Sequence, residues 1–181
     1  MRANLDSALF TKLLRKAADK LKGEWLLVGG TLLPAVGINV RSTVDIDLIG
    51  LTPAESNQQL ELMQLAESLG LPVDSINQTA AFFLKKVGYT RGDLLVLHKG
   101  SGATIFRPSL ALYWRLKCGR LSETDVEDCR HYMKFCVEAG DPVSQAGLKE
   151  FLRQLLSEAV SADKKNRLLH LNRLAETVIR R

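Results

Sequence analysis

Two acidic residues within one apolar run constrain this chain more than any other feature of its sequence. Residues 44–49 read Val-Asp-Ile-Asp-Leu-Ile, so Asp45 and Asp47 alternate with apolar side chains. Alternate side chains on a strand point to the same face, so the pattern predicts a strand over 44–49 that presents both carboxylates together. Neighbouring carboxylates repel in an apolar setting, and a divalent cation is the usual remedy. The alternative is an edge strand whose acids face water.

A second apolar run, Trp-Leu-Leu-Val at residues 25–28, ends at Gly29 and Gly30. Glycine lets a ligand approach the backbone closely, and the first N–H groups of a following helix attract anions. The pattern therefore predicts a strand, a glycine turn and a short helix over residues 31–37. This arrangement is typical of one half of a phosphate-binding site.

The glycine pair followed by Asp-x-Asp, each next to an apolar run, resembles the signature of the nucleotidyltransferase superfamily, which includes DNA polymerase beta. Residues 41–48, Arg-Ser-Thr-Val-Asp-Ile-Asp-Leu, look most like the bacterial abortive-infection branch of that superfamily. Residues 120–128 are similar to the helix start that follows the core in those relatives. The resemblance covers residues 25–115 well and residues 116–139 more loosely.

The resemblance implies a nucleotidyltransferase that moves a nucleoside monophosphate from a nucleoside triphosphate (NTP) to a hydroxyl of RNA, a protein or a small molecule. It also implies a setting in toxin–antitoxin systems or phage defence. Asp45 and Asp47 are then the catalytic ligands of Mg²⁺ or Mn²⁺. The superfamily takes a third carboxylate from a later strand, and Asp93 is the acid at a strand in that region of this sequence. An aspartate in an ordinary turn would look the same.

The same resemblance assigns the phosphate contacts. Gly29, Gly30 and the hydroxyl of Thr31 are expected to hold the β- and γ-phosphates of the NTP. Arg41 lies four residues before Asp45, and its guanidinium can donate a fork of hydrogen bonds to phosphate. An ion pair that orients Asp45 or Asp47 is the alternative role for Arg41.

A different class of function is a nucleotidyltransferase-like domain without turnover, which binds a nucleotide or a partner protein. The feature that separates the two functions is whether a third acid meets Asp45 and Asp47 in space. The NTP is the expected partner under both hypotheses, and RNA or a protein is the expected second partner.

The order of predicted elements indicates an α+β fold, with a mixed β-sheet core and helices on one side. A core over residues 1–115 is followed by a C-terminal helical region over 116–181. Patterns of apolar residues and turn residues predict helices over 5–22, 31–37 and 52–69, strands over 25–28, 44–49, 80–87, 94–98 and 104–106, a loop over 71–78, and helices after residue 108.

Composition sets broader limits. The 181 residues are 46% hydrophobic and 25% charged, which is typical of a globular protein. No apolar run approaches the roughly 20 residues that a membrane span needs, so we expect a cytoplasmic protein without a membrane partner. The net charge is +5, with an excess of Lys and Arg at both ends of the chain. Basic ends can attract nucleic acid or can be the solvated faces of terminal helices.

Residues beyond the sheet add few candidates. Ser122 is a predicted helix N-cap, and Asp125 and Asp128 follow in the first turns, where acids complement the helix dipole. The cysteines are Cys118, Cys129 and Cys136, an odd number without a C-x-x-C pair. Ordinary buried thiols are the expected role, and a zinc site that includes His131 is the alternative.

Overall fold

The computed structural model describes residues 7–39 and 45–178 and shows an α+β protein. The chain divides into two compact units, Met1–Pro108 and Ser109–Arg181. The boundary expected from the sequence, between residues 115 and 116, lies inside a helix of the second unit. No helix within the described ranges is long and apolar enough to cross a membrane.

The first unit contains a mixed sheet of five strands in the order β3-β2-β1-β5-β4. Strand β1 pairs antiparallel with β2 and parallel with β5, β2 pairs parallel with β3, and β4 pairs antiparallel with β5. The strands are β1 Gly23–Val28, β2 Ile46–Gly50, β3 Ile76–Asn77, β4 Leu94–Lys99 and β5 Ala103–Pro108.

Helices precede, connect and follow the strands. Helix α1 packs against β4 and β5 and also contacts α2 and α4. The helices are α1 Ser7–Lys20, α2 Leu32–Ala35, α3 Pro53–Ser56, α4 Gln59–Ser68, α5 Ala81–Val87, α6 Leu110–Cys118, α7 Glu123–Glu138, α8 Gln145–Glu158 and α9 Ala162–Val178, and a 3₁₀ turn, Arg91–Asp93, precedes β4.

The predicted strand over residues 80–87 is wrong, because this segment forms helix α5. Short apolar runs are ambiguous between strand and helix. Among the large apolar residues of α5, only Leu84 is buried, whereas Phe82 and Phe83 are exposed. Alanine at the start and two lysines near the end favour a helix once a single side chain anchors the segment. The predicted loop over 71–78 is also wrong in part, because it contains β3.

The predicted helix over residues 52–69 begins as expected but is interrupted. Thr52 and Glu55 form the predicted capping box, with Pro53 in the first turn. Helix α3 ends at Ser56, and α4 begins at Gln59 after a break. The side chain of Gln58 crosses to the backbone of Lys22, accepting from its N–H at 3.0 Å and donating to its carbonyl at 3.0 Å. These long-range hydrogen bonds accompany the break, and local helix signals could not reveal them.

The turn between β4 and β5 depends on a glycine. A Cβ built on Gly100 would lie 2.6 Å from backbone atoms of Ala18 in α1. We expect Gly100→Ala to lower the free energy of unfolding by about 1–3 kcal/mol, the usual cost of overpacking. Gly92→Ala is the matched control, since its Cβ would meet no atom closer than 3.7 Å. Urea unfolding of both variants measures the difference, and equal stabilities would contradict this account of the turn.

The second unit is helical, as the sequence predicts. Ser109 and Ser122 cap α6 and α7 through their side chains, and Asp125 completes a capping box at the start of α7. Residues 159–161 separate α8 from α9. Aromatic and apolar side chains of α6, α7, α8 and α9 form its core, namely Leu112, Tyr113, Trp114, Tyr132, Met133, Leu148, Leu152, Leu168 and Leu171.

Candidate functional site

One edge of the sheet brings together the two sequence signals. Strand β1 ends at Val28, and its antiparallel partner β2 begins at Ile46, so both signals lie at this edge. The register pairs Val28 with Asp47. Gly29 follows directly, with a positive φ of 75° that favours glycine. We call this place the Gly29–Asp47 edge.

The carboxylate of Asp47 lies against Gly29. A Cβ built on Gly29 would overlap Oδ2 of Asp47 and would lie 3.3 Å from Cγ of Asp47. Both the positive φ and this close approach therefore require glycine at position 29. Asp47 is half-buried, between buried neighbours on the same strand. The glycine turn thus packs directly on one carboxylate of the Asp-x-Asp motif.

Asp45 is placed differently from Asp47. The described strand begins at Ile46, so Asp45 precedes β2, and its side chain is exposed. The sequence predicts a strand from residue 44 with both acids on one face. Only Asp47 lies within the strand, and residue 44 lies outside the described part of the chain.

The residues predicted to contact phosphate differ in how the structure places them. Thr31 is fully buried, and its hydroxyl donates to the carbonyl of Val28 at 3.1 Å. Helix α2 has four residues, including Pro34, which has no backbone N–H to offer. Gly30 lies in the turn between β1 and α2. Arg41 lies outside the described residues, so its predicted contacts stay a prediction.

Asp93, the predicted third carboxylate, is not beside Asp47. It ends the 3₁₀ turn before β4, and its Oδ2 accepts from the backbone N–H and the hydroxyl of Thr90, at 2.9 and 3.1 Å. Strands β1 and β5 separate β4 from β2. Three strand spacings of about 4.8 Å place the two strands about 14 Å apart. Asp93 therefore caps the 3₁₀ turn. This is the role of an ordinary turn aspartate, which its sequence position also allows.

The neighbour of Asp47 on its other side is an amide. Strand β3 pairs Asn77 with Asp47. The side-chain oxygen of Asn77 accepts from the backbone N–H of Thr79 at 2.9 Å. The carbonyl of Ser75, just before β3, accepts from the N–H of Ile46 at 2.7 Å. Asn77 is not among the site residues predicted from the sequence, because residues 71–78 are predicted to form a loop and a two-residue strand leaves no periodic signal.

The donor set at this edge suits Mg²⁺ or Mn²⁺. Magnesium is commonly held by one or two carboxylates and by substrate phosphates. Asp47 supplies a carboxylate, and Asp45 is two residues away in sequence. Within residues 7–39 and 45–178, no group of three or more His, Cys, Asp or Glu residues could hold a metal ion. A cation here would therefore draw on few protein ligands and would need substrate phosphates or water to complete its coordination.

A buried charge cluster lies in the second unit. Lys117 of α6 donates to Asp125 at 3.2 Å and to Asp128 at 2.7 Å, and both aspartates lie in α7. The side chains of the two aspartates are 1% and 2% exposed, and that of Lys117 is 11% exposed. Arg120 adds two hydrogen bonds to Asp125, each 2.9 Å long. These acids do more than complement a helix dipole, since they join two helices.

The charge of Asp125 is strongly stabilised in this cluster. Burial favours the neutral acid, but hydrogen bonds from Arg120 and Ser122 and the charge of Lys117 outweigh it, so the pKa of Asp125 lies far below its ordinary value. Ser122 and Asp125 are recognisable from the sequence as a helix start, but the contact with Lys117 is not. Lys117 precedes Asp125 by eight residues in another helix, and sequence spacing does not reveal such a contact.

The cysteines behave as ordinary buried thiols. Cys118, Cys129 and Cys136 are all buried. Burial raises the pKa of Cys118 to about 12, and burial also raises that of Cys129. Zinc binds the thiolate, so these values do not favour the zinc alternative.

Comparison of this chain with protein-family models, with curated proteins and with solved structures finds no match.

Proposed function

We propose that this chain is a metal-dependent nucleotidyltransferase, which transfers a nucleoside monophosphate from an NTP to a hydroxyl of RNA, a protein or a small molecule. One observation carries the metal and NTP site of this proposal: the carboxylate of Asp47 packs against Gly29, where β1 ends and β2 begins. Transfer itself is what the superfamily resemblance adds. The superfamily signature joins a glycine turn to an acidic strand, and here the two are in contact. The resemblance to the abortive-infection branch supports a toxin–antitoxin or phage-defence role in the bacterial cytoplasm.

In this proposal the residues of the edge have separate tasks. Asp47 and Asp45 hold Mg²⁺ or Mn²⁺, and the backbone at Gly29 and Gly30 accommodates the β- and γ-phosphates. The acceptor hydroxyl gives up its proton to solvent water and its oxygen bonds to the α-phosphorus. The bond between that phosphorus and the bridging oxygen of the β-phosphate breaks, and pyrophosphate leaves. The metal, when bound, supplies positive charge that stabilises the attacking and leaving oxygens. Asp47 is half-buried, which limits competition from water for its oxygens.

A second candidate function is a nucleotide-binding module without turnover. Asn77 occupies the strand position beside Asp47, and an amide cannot accept a proton as a general base does. The carboxylate of Asp93 is engaged by Thr90. These two observations favour binding without transfer, whereas the contact between Asp47 and Gly29 is common to both functions.

A transfer assay separates the two functions. The full chain is incubated with Mg²⁺ or Mn²⁺, a pool of RNA and proteins, and each NTP labelled at the α-phosphate. We expect label on an acceptor, and chelation of the metal should abolish it. A γ-labelled NTP is the control, because nucleotidyl transfer releases that phosphate within pyrophosphate. Binding of NTP without transfer to any acceptor would support the module and overturn the enzyme.

A further inference from the structure

Helix α5 exposes a pair of aromatic rings. Phe82 is 70% exposed and Phe83 is 54% exposed. Both belong to a helix of seven residues, which has few side chains with which to pack on the rest of the protein. Their ring centroids are 5.5 Å apart, with an interplanar angle of 82°. The fold does not need these rings, since Leu84 is the large side chain that anchors the helix. Clustered exposed apolar side chains commonly mark a binding site.

Basic side chains accompany the rings. Lys85 and Lys86 are exposed, and neither pairs with a carboxylate in the part of the chain that the structure describes. They lie three and four residues after Phe82, so all three share one face of α5. Residues 75–92 contain no Asp or Glu, and Tyr89, just beyond the helix, is 36% exposed. We call Phe82, Phe83, Lys85 and Lys86 the α5 surface.

We propose that the α5 surface binds single-stranded nucleic acid. Bases stack on exposed aromatic rings, and lysines one helical turn away neutralise the phosphates that join those bases. Residues 75–92 contain no acid, so this segment adds no negative charge of its own that would repel a polyanion. The α5 surface fits a membrane less well than it fits nucleic acid. The membrane affinity of an interfacial helix grows with its apolar area, and α5 exposes only two aromatic rings.

This inference goes beyond the proposed function, because binding to the α5 surface requires neither a metal nor an NTP. A failure of transfer leaves the binding experiment unaffected, and a failure of binding leaves transfer to a protein or small molecule intact. The two proposals can therefore fail separately.

The test is fluorescence anisotropy with labelled oligouridylate and the full chain. Stacking contributes roughly 5- to 100-fold in affinity per base, so Phe82→Ala should weaken binding by a factor in that range. Phe82→Leu keeps an apolar side chain but lacks an aromatic face, and should weaken binding nearly as much. Phe82→Tyr should retain binding. Phe82 is exposed, so the melting temperatures of these variants should stay close to that of the wild type.

Salt dependence tests the role of the lysines. Each phosphate that a lysine neutralises on a single strand adds about 0.7 to the slope of log affinity against log salt, so Lys85→Gln with Lys86→Gln should reduce that slope by about 1.4. Lys12→Gln with Lys20→Gln removes the same charge from the exposed face of α1 and is the control. An equal decrease in slope in the control would show that the salt dependence reflects the total charge of the protein and not the lysines of α5. That result would overturn the proposal.

Other ligands supply the remaining outcomes. Equal affinity for single-stranded RNA and DNA, or a preference for RNA, supports the α5 surface as a single-strand site. Unchanged oligouridylate binding in Phe82→Leu would indicate apolar docking without stacking, as with a protein partner, and would contradict the proposal. Binding to vesicles that contain phosphatidylserine, without binding to oligouridylate, would assign the surface to a membrane and overturn it.

Discussion

Asp47→Asn should remove most of the metal-dependent binding of NTP and nearly all transfer. The change keeps the size of the side chain against Gly29 but deletes the charge that holds the cation. Metal ions supply several kcal/mol of transition-state stabilisation. At 1.36 kcal/mol per tenfold, this corresponds to a loss in transfer rate of about 10²- to 10³-fold. The loss should appear with every NTP and with either metal.

Thermal unfolding provides a readout that does not require turnover. Ligands that bind only the folded state raise the melting temperature by mass action. Wild-type protein should therefore be stabilised by Mg²⁺ with NTP, and Asp47→Asn should lose most of that shift. Asp93→Asn is the matched control, because it removes the same charge at the 3₁₀ turn and should keep the shift. An equal shift in Asp47→Asn and wild type would place the cation elsewhere.

The core of the sheet could be predicted from the sequence because its strands carry strong local signals. Strands β1, β4 and β5 are confirmed, since each combines an apolar run with glycine or proline boundaries. Strand β3 has two residues and depends on pairing with β2, which no local pattern encodes. The helical state of α5 could not be predicted for a related reason, because a short apolar run is compatible with a strand and with a helix. The exposure of Phe82 and Phe83 is visible only in the folded chain.

The arrangement of residues at the candidate site could be predicted in part. Strand register explains why Asp47 and Gly29 lie together, since a glycine turn after one strand and an acid at the start of its antiparallel partner meet at the same end of the two strands. Asp93 also lies at the start of a strand, but that strand, β4, is an outermost strand of the sheet. Strands β1 and β5 separate it from β2. Strand order follows from long-range pairing, so the distance between Asp93 and Asp47 could not be inferred from spacing.

The charge cluster of the second unit illustrates what helix signals alone leave out. Ser122 and Asp125 mark the start of α7, and both were recognisable from sequence. Lys117 reaches the same carboxylate from α6. Two buried acids and one nearly buried lysine carry large desolvation costs, so the removal of one partner leaves charge that the remaining groups neutralise less completely.

Lys117→Met should therefore be among the most destabilising single changes in this chain. Methionine approximates the lysine stem but removes the charge that both Asp125 and Asp128 contact. Breaking a buried ion pair costs about 3–5 kcal/mol, and we expect a loss of this size in urea unfolding at neutral pH. Lys134→Met is the control, because Lys134 forms an exposed pair with Glu138 at 3.8 Å in α7, and such pairs contribute about 0–1 kcal/mol.

The pH dependence of that loss distinguishes charge from packing. A carboxylate whose folded pKa is depressed contributes stability above its unfolded pKa of about 3.9 and loses it as the pH falls. Lys117 is one cause of the low pKa of Asp125, so Lys117→Met should raise that pKa and weaken the acid dependence of stability. The difference between wild type and variant should be largest at neutral pH and should shrink as the pH falls below about 4. A difference that stays constant down to the acid limit would show that the lysine stem acts through packing and not through its charge.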